Sequence, residues 1–186
     1  MKKLIMAAVI ACTAVFANAA SVNWYVGYIM DADGVNLLGP SDTGYIALLN
    51  IYSDSAMTTL LTSGSLNSWD DGLTMDDSGS IVVDNSSDTT YYGQVIISYG
   101  GQELKSDGFQ FDVTTLGNVY DIAIMTDPSE ASGVQKIGGG DFDGANGVFE
   151  AAGGGGGWAP PVVPEPTTGL LVLLGVAGLA LRRRRA

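Results

Sequence analysis

Histidine is missing from all 186 residues, and the one cysteine, Cys12, sits inside an apolar stretch near the amino terminus. Without imidazole or thiolate in the remainder, Ser-His-Asp and Cys-His nucleophilic sites, histidine or cysteine zinc sites and disulfides are excluded there. Cations are nearly as scarce. Arginine occurs only at positions 182 to 185, and between residues 20 and 166 Lys105 and Lys136 face 20 carboxylates, a formal charge of −18. Such a surface repels nucleic acid and anionic membrane, and without arginine it has no bidentate phosphate clamp, so nucleic acid is not expected as a partner.

Few groups remain for catalysis. Lys105 lies in the polar run Glu103-Leu104-Lys105-Ser106, and both lysines are expected to be solvated rather than to serve a serine nucleophile. Glu103, Glu130 and Glu150 are scattered, and paired carboxylates alone are a weak signal where acids are abundant. No catalytic residue is assigned, and the protein is not expected to be an enzyme.

What is present is β-rich. Short runs of β-branched and aromatic residues alternate with clusters of Gly, Asp, Asn and Ser, which predicts strands separated by turns. Strands are expected at 22–30, 44–52, 80–84, 90–99, 109–114 and 119–125, with less regular ones at 35–38 and 57–61. Phe109-Gln110-Phe111-Asp112-Val113 alternates with period two, the pattern of a strand with one face buried. Gly100-Gly101 supplies the positive dihedrals of a tight hairpin, with the partner arm starting near Gln102. No helical period intervenes, so the expected fold is all-β: a single small antiparallel β-sandwich spanning residues 20–137.

Aromatic side chains on these strands are expected mainly as core and cross-strand pairs. Trp69, in the turn-like Asn67-Ser68-Trp69-Asp70-Asp71-Gly72, is either a loop contact for a ligand or a cap on the core. Acidic loops raise calcium as a cofactor, with Asp31 and Asp33 in one loop and Asp141 and Asp143 in another as weak metal candidates. Neither completes an EF-hand, because the glutamate required at its twelfth position is absent. The competing reading is a turn in which Asp and Gly serve the backbone, and no other cofactor is expected.

The two ends carry addresses. Lys2 and Lys3 precede an apolar stretch from Leu4 to Phe16, and Ala17-Asn18-Ala19 has small residues where a signal peptidase reads, so residues 1–19 are expected to be a signal peptide cut after Ala19. A second reading takes Val9-Ile10-Ala11-Cys12 as similar to a lipobox. At the other end, the uncharged run Gly169 to Leu181 is followed by Arg182, Arg183, Arg184 and Arg185. Its thirteen residues extend about 20 Å as a helix against about 30 Å of hydrocarbon, short for a permanent transmembrane helix. The arginines would stop transfer and keep this end cytoplasmic, with the body outside. Residues 138–161 are rich in Gly and Pro and are expected to be a linker spanning about 25–30 Å, long enough to hold the body clear of the bilayer.

Pro164-Glu165-Pro166, a short apolar helix and a terminal basic cluster together resemble the PEP-CTERM sorting signal, over residues 162–186. The resemblance implies export, transient retention by the tail, and processing near Pro164, Glu165 and Pro166 by exosortase, a transpeptidase-like membrane enzyme. An ordinary single-pass anchor is the alternative. The expected function is that of an exported cell-surface or matrix protein with a non-catalytic structural or adhesive β-domain. Its expected partners are signal peptidase, an exosortase-type enzyme, the membrane through its C-terminal helix, and surface polysaccharide. A calcium-dependent glycan-binding module held at the surface is the alternative.

Overall fold

A computed structural model of the chain describes residues 18–69, 72–76, 80–144, 146–150 and 157–161. It is all-β, and among the described residues the only helical element is a 3-10 turn at Gly147–Phe149. Among the described residues ten strands form two sheets. In chain order they are β1 (Ala19–Gly27), β2 (Ile46–Tyr52), β3 (Leu60–Leu66), β4 (Thr74–Met75), β5 (Ser80–Asp84), β6 (Thr89–Tyr99), β7 (Gln102–Lys105), β8 (Phe109–Val113), β9 (Val119–Met125) and β10 (Gln135–Lys136).

In the smaller sheet β1 is central. β9 runs along one edge of it from Ser21 to Gly27, and β5 followed by β4 occupies the other, pairing with Ala19–Asn23 and Val26–Gly27. The larger sheet has the order β10-β8-β6-β2-β3, and β7 continues the β8 edge of β6. Alternate residues of β1 (Ala20, Val22, Trp24, Val26), of β2 (Ala47, Leu49, Ile51) and of β8 (Phe109, Phe111, Val113) enter one shared hydrophobic core. Period-two burial of this kind fixes the register, because a one-residue slip would turn each apolar set to water.

The hairpin between β6 and β7 turns on Gly100 and Gly101, both at positive φ (57° and 80°), with Tyr99 opposite Gln102. Two positive dihedrals in succession define the type I′ turn that matches strand twist. Where β7 gives way to β8, buried Ser106 fills the break. Its hydroxyl accepts from the Val95 amide at 2.9 Å and donates to the Asp107 carbonyl at 2.8 Å, while its own amide donates to the Val95 carbonyl. Thus an edge shared by two strands leaves no buried amide of β6 unpaired at the join.

Some expectations need correction. The sheets are not wholly antiparallel, because β1 and β9 pair in parallel over seven residue positions. Ile122 to Met125 of β9 are buried consecutively rather than alternately, as in strands covered on both faces. The second cover comes from the 3-10 turn at Gly147–Phe149, which falls in the stretch 138–161 expected to be linker. Ser132 bridges to Ala123 of β9, the 3-10 turn packs against β9, and Phe142, Val148 and Phe149 are buried. The body therefore continues past Ile137, held by apolar anchors spaced among the glycines. The expected strand at 35–38 is reduced to a single bridge between Met30 and Leu37.

Candidate functional site

Ala17, Pro164, Glu165, Pro166 and Arg182 to Arg185 lie outside the described residues, as does the expected helix from 169 to 181. Among the described residues no helix is long and apolar enough to cross a membrane. Ala19 is the first residue of β1, opposite Asp84, so a cut after Ala19 removes one register pair and leaves Ala20 opposite Val83. What the structure does define is how the fold meets the start of the tail.

Residues 157–161 form a strap on the body. Ala159 forms an antiparallel bridge with Glu103 of β7, exchanging two backbone hydrogen bonds of 2.7 and 2.9 Å. Beside it the Trp158 indole Nε1 donates to the Met30 carbonyl at 3.1 Å, and its ring meets Tyr45 edge-on with centroids 5.9 Å apart. Pro160 and Pro161 are exposed. Tyr45 is the hub of this end of the fold. Tyr99 stacks on it at 4.0 Å and Trp69 meets it edge-on at 6.5 Å. Tyr45 is buried, and loss of hydration, helped by nearby Tyr99 and Asp42, raises its phenol pKa above the ordinary value. Tyr99 keeps 45% of its surface exposed, so one ring of the cluster faces solvent.

Trp69 takes the capping role offered by the sequence. It is partly buried against the core, its backbone bridges to Met75, and among the described residues its buried Nε1 has no hydrogen-bond partner. The bridge of Ala159 with Glu103, beside Trp158, is not among the expectations read from the sequence. A tryptophan closing a glycine-rich run was the available signal, whereas the β7 edge it seeks lies over fifty residues away and leaves no local mark.

The four acids considered for calcium fall in two unrelated places. Asp31 caps its own loop, accepting from the Val35 amide at 3.0 Å and the Asn36 side chain at 2.9 Å, and those bonds lower its pKa, the Val35 amide contributing most. Asp33 is exposed in the same loop. Asp143 binds Lys136 at 2.9 Å, and this hydrogen bond lowers the carboxyl pKa and raises that of the lysine. Lys136 also reaches Glu150 at 3.3 Å, whose carboxylate accepts from the Gly144 amide, so the lysine pins the segment that covers β9. Asp141 lies at the rim of an open recess of about 500 Å³ that also includes Asp112, Gln110 and Gln135. Among the described residues no three acidic side chains group as a metal site. The other lysine, Lys105, pairs with Glu103 at 3.3 Å.

The described residues of an all-β body thus end in a short segment bridged to β7, and position 162 follows it. From that position, residues 162–185 match the family model of the PEP-CTERM protein-sorting motif. The tail is a sorting signal of that type, as the resemblance implied, and it implies processing by an exosortase-type enzyme with export and sorting to the membrane or cell surface. No curated protein and no solved structure matches the chain.

Proposed function

We propose that the protein is an exported, surface-sorted β-sandwich whose body is non-catalytic and contributes to a cell-surface or polysaccharide layer by coating or adhesion. The carrying observation is the sorting motif at residues 162–185. In this reading signal peptidase cuts after Ala19, the short apolar run holds the chain with its arginines in the cytoplasm, and an exosortase-type enzyme removes the tail near Pro164, Glu165 and Pro166. Scarcity of catalytic side chains supports a passive body. A formal −18 between residues 20 and 166 keeps it soluble and discourages adhesion to anionic surfaces.

The solvent-facing Tyr99 ring, stacked on Tyr45, favours a second reading, a glycan-binding module, because exposed aromatic faces suit sugar rings. The two readings separate in a thermal melt of the body with and without millimolar calcium, and with and without its own surface polysaccharide. A coating protein keeps the same Tm in all four conditions, and an adhesive one gains with polysaccharide but not with calcium. A rise of several degrees with calcium would require an ordered site and favour the calcium-dependent module; a rise with polysaccharide alone would favour metal-independent binding.

A further inference from the structure

We infer that the open recess beside β8 is a glycan-binding site, and that it takes a neutral sugar unit of a surface polysaccharide. This rests on the surface-layer reading and adds the class of partner and the place that holds it. The recess follows from the path of the chain. β10 pairs with β8 only at Phe109 and Gln110, and on the other side of Gln135 the chain crosses to the smaller sheet, where Ser132 bridges to Ala123 of β9. Past Gln110, β8 therefore has no strand on that side among the described residues, and a recess of about 500 Å³ opens between it and the crossing segment. Small-ligand sites have volumes of about 300–1,000 Å³, mostly apolar walls and a few convergent polar groups.

The lining suits an amphipathic, uncharged ligand. Buried Phe111, Val134 and Phe142 supply its apolar part. Hydrogen-bonding groups with unused capacity stand beside them. The Gln110 Oε1 accepts from the Gly138 amide at 2.9 Å, which fixes the side chain and leaves its Nε2 to donate. Asp112 accepts the Thr90 hydroxyl on Oδ1 at 2.6 Å, so its other oxygen can accept from a ligand. Gln135 and Asp141 are exposed, and among the described residues neither side chain has a hydrogen bond. Donors and acceptors in one place match hydroxyls, each of which does both. Other occupants fit less well. Two carboxylates and no cation are among the described lining residues, and neighbouring Lys136 is held by Asp143 and Glu150, so an acidic sugar or a phosphate finds no counter-charge. A peptide strand would find only Phe111 to Val113 to pair with, short of the about five or six residues of an ordinary strand.

Equilibrium binding by the protein isolated from its native cell surface tests this, the probes being its own surface polysaccharide separated by anion exchange into a neutral and an acidic fraction. Wild type is expected to bind the neutral fraction at least roughly tenfold more tightly than the acidic one. Q135A/D141A removes two exposed side chains that bond nothing else among the described residues. It is expected to lose at least roughly tenfold in affinity for the neutral fraction with its Tm unchanged, whereas Y99A is expected to bind as wild type does. Affinity unchanged in Q135A/D141A, or lost in Y99A instead, would overturn the site and leave an adhesive body standing. Acidic polysaccharide bound as tightly as neutral would overturn the ligand class. Wild type that binds neither fraction would remove the adhesive reading with the inference, and leave the coating role and the sorting signal in place. Should the double variant melt early, amide-shift mapping of wild type with the neutral fraction decides: shifts at Gln110, Ser132 and Gln135 support the site, and shifts confined to other positions overturn it.

Discussion

Replacing Pro164, Glu165 and Pro166 together by alanine is expected to leave the protein full-length in the membrane fraction, with the shortened form reduced about 100-fold, the scale of loss when a reacting group is misplaced. The reason is backbone shape. Proline at 164 and 166 disfavours a continuous helix, and the residue before a proline prefers extended backbone, so the sequence is expected to present the triplet extended. Alanines there, as strong helix formers, would favour helix through the triplet over the extended backbone expected to be processed. Immunoblots of membrane and released fractions with an antibody to the body read the ratio directly. The body itself should melt as in wild type, because its last described residue, Pro161, precedes the substituted positions.

Phe109→Ala is expected to cost about 3–5 kcal/mol, the usual range for a fully buried phenylalanine, a large share of the about 5–15 kcal/mol typical of a domain. Phe109 lies across Gly93 of β6, and a Cβ added at Gly93 would stand 2.4 Å from the ring. Gly93→Ala alone should therefore also destabilise, by about 1–3 kcal/mol through overpacking. Together the two changes should cost less than their sum, since the new methyl enters space the ring has left. Chemical denaturation of the four proteins checks this, and strict additivity would show that the ring does not lie on the glycine.

Where sequence and structure agree, the signal was local. β8 is legible because Phe109, Phe111 and Val113 alternate with polar residues, and the β6–β7 turn because two glycines meet two strands. The sorting tail was legible for the same reason, since order and spacing within about twenty-five residues carry it. Long-range partners were not. Tyr120-Asp121-Ile122-Ala123-Ile124 alternates poorly, and the structure supplies the cause: β9 is paired in parallel with β1, and the 3-10 turn at Gly147–Phe149 packs against it. The strand expected at 57–61 begins too early, since β3 occupies Leu60–Leu66. Thr62-Ser63-Gly64-Ser65 has small side chains and reads as a turn, yet a Cβ added at Gly64 would stand 2.7 Å from Ile81 of β5. The glycine there marks close packing between the sheets.

The strap has the same lesson in a functional place. Its residues are few and mostly small around one tryptophan, so composition alone reads as spacer. Its position depends on the free edge of β7, on the Met30 carbonyl and on Tyr45, three points brought together only by folding.

Processing of the tail is tested most directly by the C-terminal peptide of the protein isolated from its native cell surface, sequenced by mass spectrometry. The account predicts a chain ending close to Pro164, Glu165 and Pro166, with the apolar run and the arginines gone. A peptide ending at Ala186 on the surface-isolated protein would contradict it, and would make the tail a lasting membrane anchor.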